Sequence, residues 1–133
     1  MPIPKSAVER STLEESIREA WSIDTCYPAS RKHWTPENPA IGHCAVTALV
    51  VHSFYGGKIY RCSHQNHYWN RLDDGTTMDL TKCQYVRPVK ICIDSVPDPA
   101  TLAKQRGAET NERYELLLGR VHADLERRKT KRR

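Results

Sequence analysis

The sequence predicts a single α+β domain, on three observations. Its 133 residues, 38% hydrophobic and 28% charged, suffice for one core that buries roughly 70% of the unfolded chain's surface. Residues 44–54 (CAVTALVVHSF) are apolar almost all round, which marks a helix covered on every side. Residues 58–80 hold three short runs of β-forming residues divided by turns, the pattern of a small antiparallel sheet. The domain is expected to occupy residues 1–126, with residues 127–133 as a basic, disordered tail.

The first helix is announced by Ser11-Thr12 ahead of Glu14-Glu15, a capping pattern, with Leu13, Ile17, Ala20 and Trp21 on one face. It should end before Tyr27-Pro28. Pro28, Pro36 and Pro39, with Gly42, then read as an extended loop over residues 28–42. The buried helix opens at Cys44 and is stopped by Gly56-Gly57. Residues 58–63, 67–72 and 76–80 read as strands, the last two joined through Asp73-Asp74-Gly75, and residues 89–93 as a further strand before Pro97-Asp98-Pro99. Tyr114, Leu117, Leu118, Val121 and Leu125 give a closing helix over residues 111–126 its apolar face.

Charge is unevenly placed. The net +5 resides in residues 120–133, where seven Lys/Arg stand against Asp124 and Glu126, so residues 1–119 are neutral. Such a tail can contact nucleic-acid phosphates, but it has no aromatic residue to stack on a base. Fraying is the simpler expectation, and deleting the tail should then leave the melting temperature nearly unchanged. The chain has neither the ~18 consecutive apolar residues of a membrane span nor an apolar leader, so a cytoplasmic protein without membrane contact is expected. Cys26, Cys44, Cys62, Cys83 and Cys92 include no CxxC pair and read as reduced thiols.

The residues with chemistry come in a telling order: a cysteine opens the buried helix, His67 opens a strand, and Asp79 lies on the next strand across a tight turn. A helix N-terminus favours a thiolate through its dipole and its N–H groups. A histidine within hydrogen-bond reach, within about 4 Å in an unliganded site, can exchange a proton with that sulfur, and a carboxylate can fix the histidine tautomer. Turn length decides whether Asp79 meets His67. With Asp73-Asp74-Gly75 as a three-residue loop, Trp69 lies opposite Asp79, and His67, Trp69 and Asp79 share a face. With Asp74-Gly75 alone, Asn70 takes the place opposite Asp79 and His67 points away. The residues admit both, and their preferences favour the longer form.

The run Trp34-Thr35-Pro36-Glu37-Asn38-Pro39-Ala40-Ile41-Gly42-His43-Cys44-Ala45-Val46-Thr47, followed by His67-Tyr68-Trp69-Asn70 and by Asp74-Gly75 to Asp79-Leu80-Thr81, resembles the bacterial YunG-like family over residues 34–85. More distantly, cysteine at a helix start, then His-x-Trp, then Asp-x-Thr resembles the transglutaminase branch of papain-like folds. That resemblance implies a papain-like or transglutaminase-like α+β fold with Cys44 as nucleophile, His67 as base and Asp79 as the acid that orients it. Where YunG-like sequences carry Gln directly before the cysteine, this chain has His43. Where papain-like enzymes place an oxyanion-holding Gln six residues ahead, it has Asn38. Asn38, His43, Trp69 and Asn70 are therefore the candidates for lining the site.

Each of these residues alone has a structural explanation: a small core cysteine, a packed strand histidine, a turn aspartate. Their joint order favours a hydrolase or acyltransferase acting on an amide or ester of a peptide, protein or small molecule, with no cofactor. The rival classes are a zinc site from Cys62, His64 and His67 with Cys44, His43 or Cys83, whose spacing matches no standard knuckle, and a non-catalytic binding module reaching nucleic acid through its tail.

Overall fold

Helix α2 (Cys44–Tyr55) is apolar on all sides because it is covered on both sides. Val46, Val50, Val51 and Phe54 pack with Leu13 and Ile17 of α1 (Arg10–Ala20) and with Leu117, Val121 and Leu125 of α4 (Thr110–Lys131). Ala48 and Leu49 instead meet Ile59 of β1 (Lys58–Cys62), Tyr68 of β2 (His67–Arg71) and Leu102 of α3 (Pro99–Ala103). A short β3 (Thr77–Met78) completes an antiparallel sheet of order β1-β2-β3, and Met78 carries that sheet into the first cluster. The structure, a computed structural model, describes residues 8–62, 67–81, 95–104 and 109–131. Within them the chain is α+β, and no helix is long and apolar enough to cross a membrane. The strand expected at residues 89–93 lies outside the described residues.

Several local expectations are corrected. Helix α1 starts at Arg10, so Ser11 and Thr12 lie inside it and cap nothing; Leu13 N–H already donates to Glu9 O at 3.0 Å, and Arg10 is fixed by Glu14 and the Thr77 carbonyl. Residues 28–42 are not extended throughout. Pro28 pre-sets the first φ of a 3-10 helix, Pro28–His33, which follows a shorter one, Ile23–Thr25. Cys62 is disulfide-bonded while Cys26 and Cys44 are free thiols, so the expectation of five reduced cysteines does not hold. Separations along the chain carry no information about which half-cystines meet in space.

The basic terminus is not a disordered tail from residue 127. Helix α4 continues to Lys131, because Arg128 bonds Asp124 at 2.6 Å one turn back and reaches Glu15 and Glu19 of α1 at 3.0 Å each. Arg127 and Lys129 also pair within α4, with Asp124 and Glu126. Deleting residues 127–133 should therefore lower the melting temperature, and Arg128→Ala should reproduce most of the loss. Raising the salt concentration should shrink both differences, since these groups are partly exposed and screened. Equal melting curves for the parent and both variants would show that the pairs contribute nothing.

Candidate active site

Cys44 is the first residue of α2, half-buried, and its position is set by the turn before it. Gly42 adopts φ +76°, and a Cβ there would stand 2.5 Å from Cys26 Sγ and 3.0 Å from Tyr27 N. Only glycine fits so close an approach. Tyr27 N–H donates to the Gly42 carbonyl at 2.9 Å, and the buried Arg113 guanidinium donates to it at 3.4 Å and to Thr25 O at 3.3 Å. The first turn of α2 follows directly, with Thr47 N–H on His43 O at 3.0 Å.

His67 and Asp79 are brought together by the hairpin. Asn70 pairs with Met78 and Arg71 with Thr77, a register that continues to Leu72 opposite Thr76 and Trp69 opposite Asp79. Gly75 at φ +89° donates to Leu72 O at 2.9 Å, and Leu72 N–H donates to Thr76 O at 2.8 Å, so the loop is the three-residue Asp73-Asp74-Gly75. His67 Nε2 then lies 2.8 Å from Asp79 Oδ2. Cys44 also acts on the same ring, and with Nε2 on Asp79 the nitrogen left over is Nδ1. Burial, the largest influence, pushes the His67 pKa down, but the hydrogen bonds and negative charges of Asp79 and Cys44 outweigh it and raise the value to about 9. Trp69 stacks on the ring at 5.6 Å between centroids, which limits its rotation.

His43 lies next to Cys44 in the chain but serves the scaffold. Its Nδ1 donates to Ile41 O at 3.0 Å, its Nε2 accepts from Thr25 Oγ1 at 2.6 Å, and its ring packs 5.5 Å from Trp21. Burial lowers its pKa to about 4, with the nearby Arg113 charge adding to the effect, so the ring is neutral. Its ring is used in holding the first 3-10 turn against the start of α2. The amide of Asn70 donates to Ala48 O at 2.9 Å and straps β2 to the middle of α2. Asn38 sits in a turn where its N–H meets Thr35 O at 3.1 Å, and its side chain makes no hydrogen bond among the described residues. Of the zinc alternative, Cys62 is held in a disulfide and His67 by Asp79, while His64 and Cys83 lie outside the described residues.

The two histidines give opposite pH dependences. His43 has a folded pKa of about 4, below the ordinary 6.5, so the unfolded chain binds more protons and stability falls as pH drops from about 6.5 to 4, by on the order of 3 kcal/mol. His67 is raised to about 9, so its contribution is complete below 6.5 and is lost as pH rises through about 9. Denaturant titrations across this range should show a maximum near pH 6.5 from these two groups. His43→Gln, whose amide can keep both partners, should flatten the acid side alone. An acid limb as steep in that variant as in the parent would assign the loss to other groups.

Sequence reasoning gives no role at the site to Gly42 or Arg113, which set the Cys44 turn. A signal exists for the second, because Arg113, Leu117, Val121 and Leu125 recur every four residues and put an arginine on the buried stripe. Among known proteins, the family described as "YunG protein" matches residues 9–126. "Uncharacterized protein YunG" of Bacillus subtilis (strain 168) is 33% identical over 76 residues, a stretch covering 56% of this chain and 61% of that relative. The chain thus spans less than two thirds of that relative's length. No solved structure matches it.

Proposed function

The chain belongs to the YunG family, and we propose that it performs acyl transfer at Cys44, to water or to an amine, with His67 and Asp79 as the groups that move and hold the proton. The observation that carries this reading is the His67 ring, bound to Asp79 at 2.8 Å through Nε2, with Cys44 among the groups that raise its pKa. Cysteine at a helix start, histidine on a strand and aspartate after the next turn is also the order of a papain-like, transglutaminase-like site. A pKa of about 9 keeps the ring protonated at neutral pH, so it can give a proton to a leaving group.

The thiolate attacks the carbonyl carbon of a peptide, protein or small-molecule amide or ester. As the C–N or C–O bond breaks, His67 gives its proton to the departing nitrogen or oxygen, and a thioester remains on Cys44. Neutral His67 then takes a proton from water or an amine as that group attacks the thioester, the C–S bond breaks, and the thiolate and imidazolium are restored. Asp79 holds the ring in one tautomer and stabilises its charged form throughout.

The test needs no natural substrate. At pH 6 a simple thiol is almost wholly protonated, so Cys44 should react with iodoacetamide at least ~10-fold faster than N-acetylcysteine. A phenyl ester should leave an acyl group on Cys44, detected by mass spectrometry, that is released in the parent and persists in His67→Ala. A Cys44 no more reactive than the free thiol, with no acyl adduct, would return the chain to the reading as a non-catalytic binding module.

A further inference from the structure

We propose that Cys62 is a positioning residue for His67: held in a disulfide, it pins the end of the β1–β2 strand pair from which the His67 ring is presented to Asp79. This inference rests on the acyl-transfer reading, because His67 is the group that moves the proton there. Cys62 and His67 are Cα partners and form the last described pair of the ladder. Facing partners of an antiparallel pair stand on the same side of the sheet. The next pair on that side shows it, since Tyr60 meets Trp69 edge-on at 6.2 Å between centroids and Trp69 in turn stacks on His67 at 5.6 Å. Cys62 and His67 are both buried.

A strand end is where a ladder opens first. Asn70 and Arg71 of β2 have a second strand beside them, pairing with Met78 and Thr77, whereas toward His67 the described strand neighbour of β2 is β1 alone. The backbone position of His67 therefore depends on the end of β1 that bears Cys62. The 2.8 Å contact of Nε2 with Asp79 depends on that position in turn, and a hydrogen bond of this length tolerates little displacement. Two ties hold β1 here. On its outer edge Arg61 N–H donates to Ser95 O at 3.0 Å in an isolated antiparallel bridge, and next to it Cys62 is disulfide-bonded. A thiol at Cys62 would fill much the same space, so what the disulfide adds is a covalent limit on how far the strand end can move. Cys26 and Cys44 are free thiols, so the bond does not consume the nucleophile.

The experiment compares the air-oxidised parent, the parent treated with dithiothreitol, Cys62→Ser and Asp79→Asn, each checked for fold by circular dichroism and for the state of its cysteines by non-reducing peptide mapping. Dithiothreitol gives two electrons and two protons to the S–S bond, which becomes two thiols while the reductant closes to a cyclic disulfide. The readout is the titration of the His67 ring, followed by its imidazole nitrogen resonances. In the reduced parent and in Cys62→Ser it should fall by about one pH unit or more, since the Asp79 carboxylate is then held less closely, and reoxidation of the parent should restore it. A His67 titration equal in all three would overturn the proposal, as would an air-oxidised parent whose Cys62 maps as a thiol. An unfolded Cys62→Ser leaves the decision to the reduced parent; if that too is unfolded, or its bond resists the reductant, the positioning role is overturned, because the bond then holds the whole domain. Iodoacetamide alkylation of Cys44 in the parent and Asp79→Asn separates the two readings. Equal rates there mean that acyl transfer at Cys44 fails, even where His67 responds to the disulfide; a slower Asp79→Asn beside a His67 that does not respond means that the role of Cys62 alone fails.

Discussion

Asp79→Asn should reduce the alkylation rate of Cys44 at neutral pH by about 100-fold or more while leaving the protein folded. The carboxylate accepts from His67 Nε2 at 2.8 Å, and with Cys44 it outweighs burial to hold the ring at a pKa of about 9. With a neutral amide in its place, burial of His67 dominates and its pKa falls below the ordinary value. The ring is then neutral at pH 7, and the sulfur loses the cation that favours its ionised form. The asparagine amide can also present its N–H₂ to Nε2 and select the wrong tautomer, adding to the loss. Asn70→Ala is the contrast. It removes the strap to Ala48 O at 2.9 Å, leaves a buried carbonyl short of a partner and lowers stability by about 1–3 kcal/mol, but the reactivity of Cys44 in the folded fraction should change far less. An Asp79→Asn variant as reactive as the parent would sink the proton-holding role.

Gly42→Ala should destabilise the protein by about 2–5 kcal/mol, measured by denaturant unfolding. Two effects add: φ +76° costs an alanine roughly 1–2 kcal/mol, and its Cβ would stand 2.5 Å from Cys26 Sγ, 3.0 Å from Tyr27 N and 3.1 Å from Ser30 Cβ, where overpacking costs a further ~1–3 kcal/mol. Gly75→Ala separates the two. Gly75 has φ +89°, and a methyl group there would meet nothing within 4 Å, so only the conformational cost of roughly 1–2 kcal/mol applies. Equal losses at the two positions would show that the neighbours of Gly42 give way freely. Because Gly42 precedes His43 and Cys44 directly, its variant should also lower Cys44 reactivity in the folded fraction, whereas Gly75→Ala should leave α2 in place.

Much of the framework is legible in the chain because it depends on local patterns. The all-round apolar run of α2, its stop at Gly56 and the Asp73-Asp74-Gly75 turn each follow from residues within a few positions of one another. The turn is the most informative, since period-two alternation converts one choice of loop length into the face on which Asp79 stands. The start of α1 is not legible in the same way: Ser11 and Thr12 have the chemistry of caps, but contacts with β3 fix Arg10 and carry the helix past them. The end of α4 is hidden because Glu15 and Glu19, more than a hundred residues away in sequence, are what Arg128 binds.

Local sequence is enough to specify the helix that bears Cys44, the strand that bears His67, and the turn chemistry compatible with Asp79 beside it. Packing is what makes the His43 ring a neutral scaffold group, lets Asn70 strap β2 to α2, leaves Cys62 oxidised, and brings Arg113 to the turn before Cys44. The division is physical. Periodicity and turn preference are short-range properties that a few neighbouring residues fix, whereas burial, pKa and hydrogen-bond partnership belong to groups that meet only when distant segments pack, and no spacing along the chain encodes that meeting.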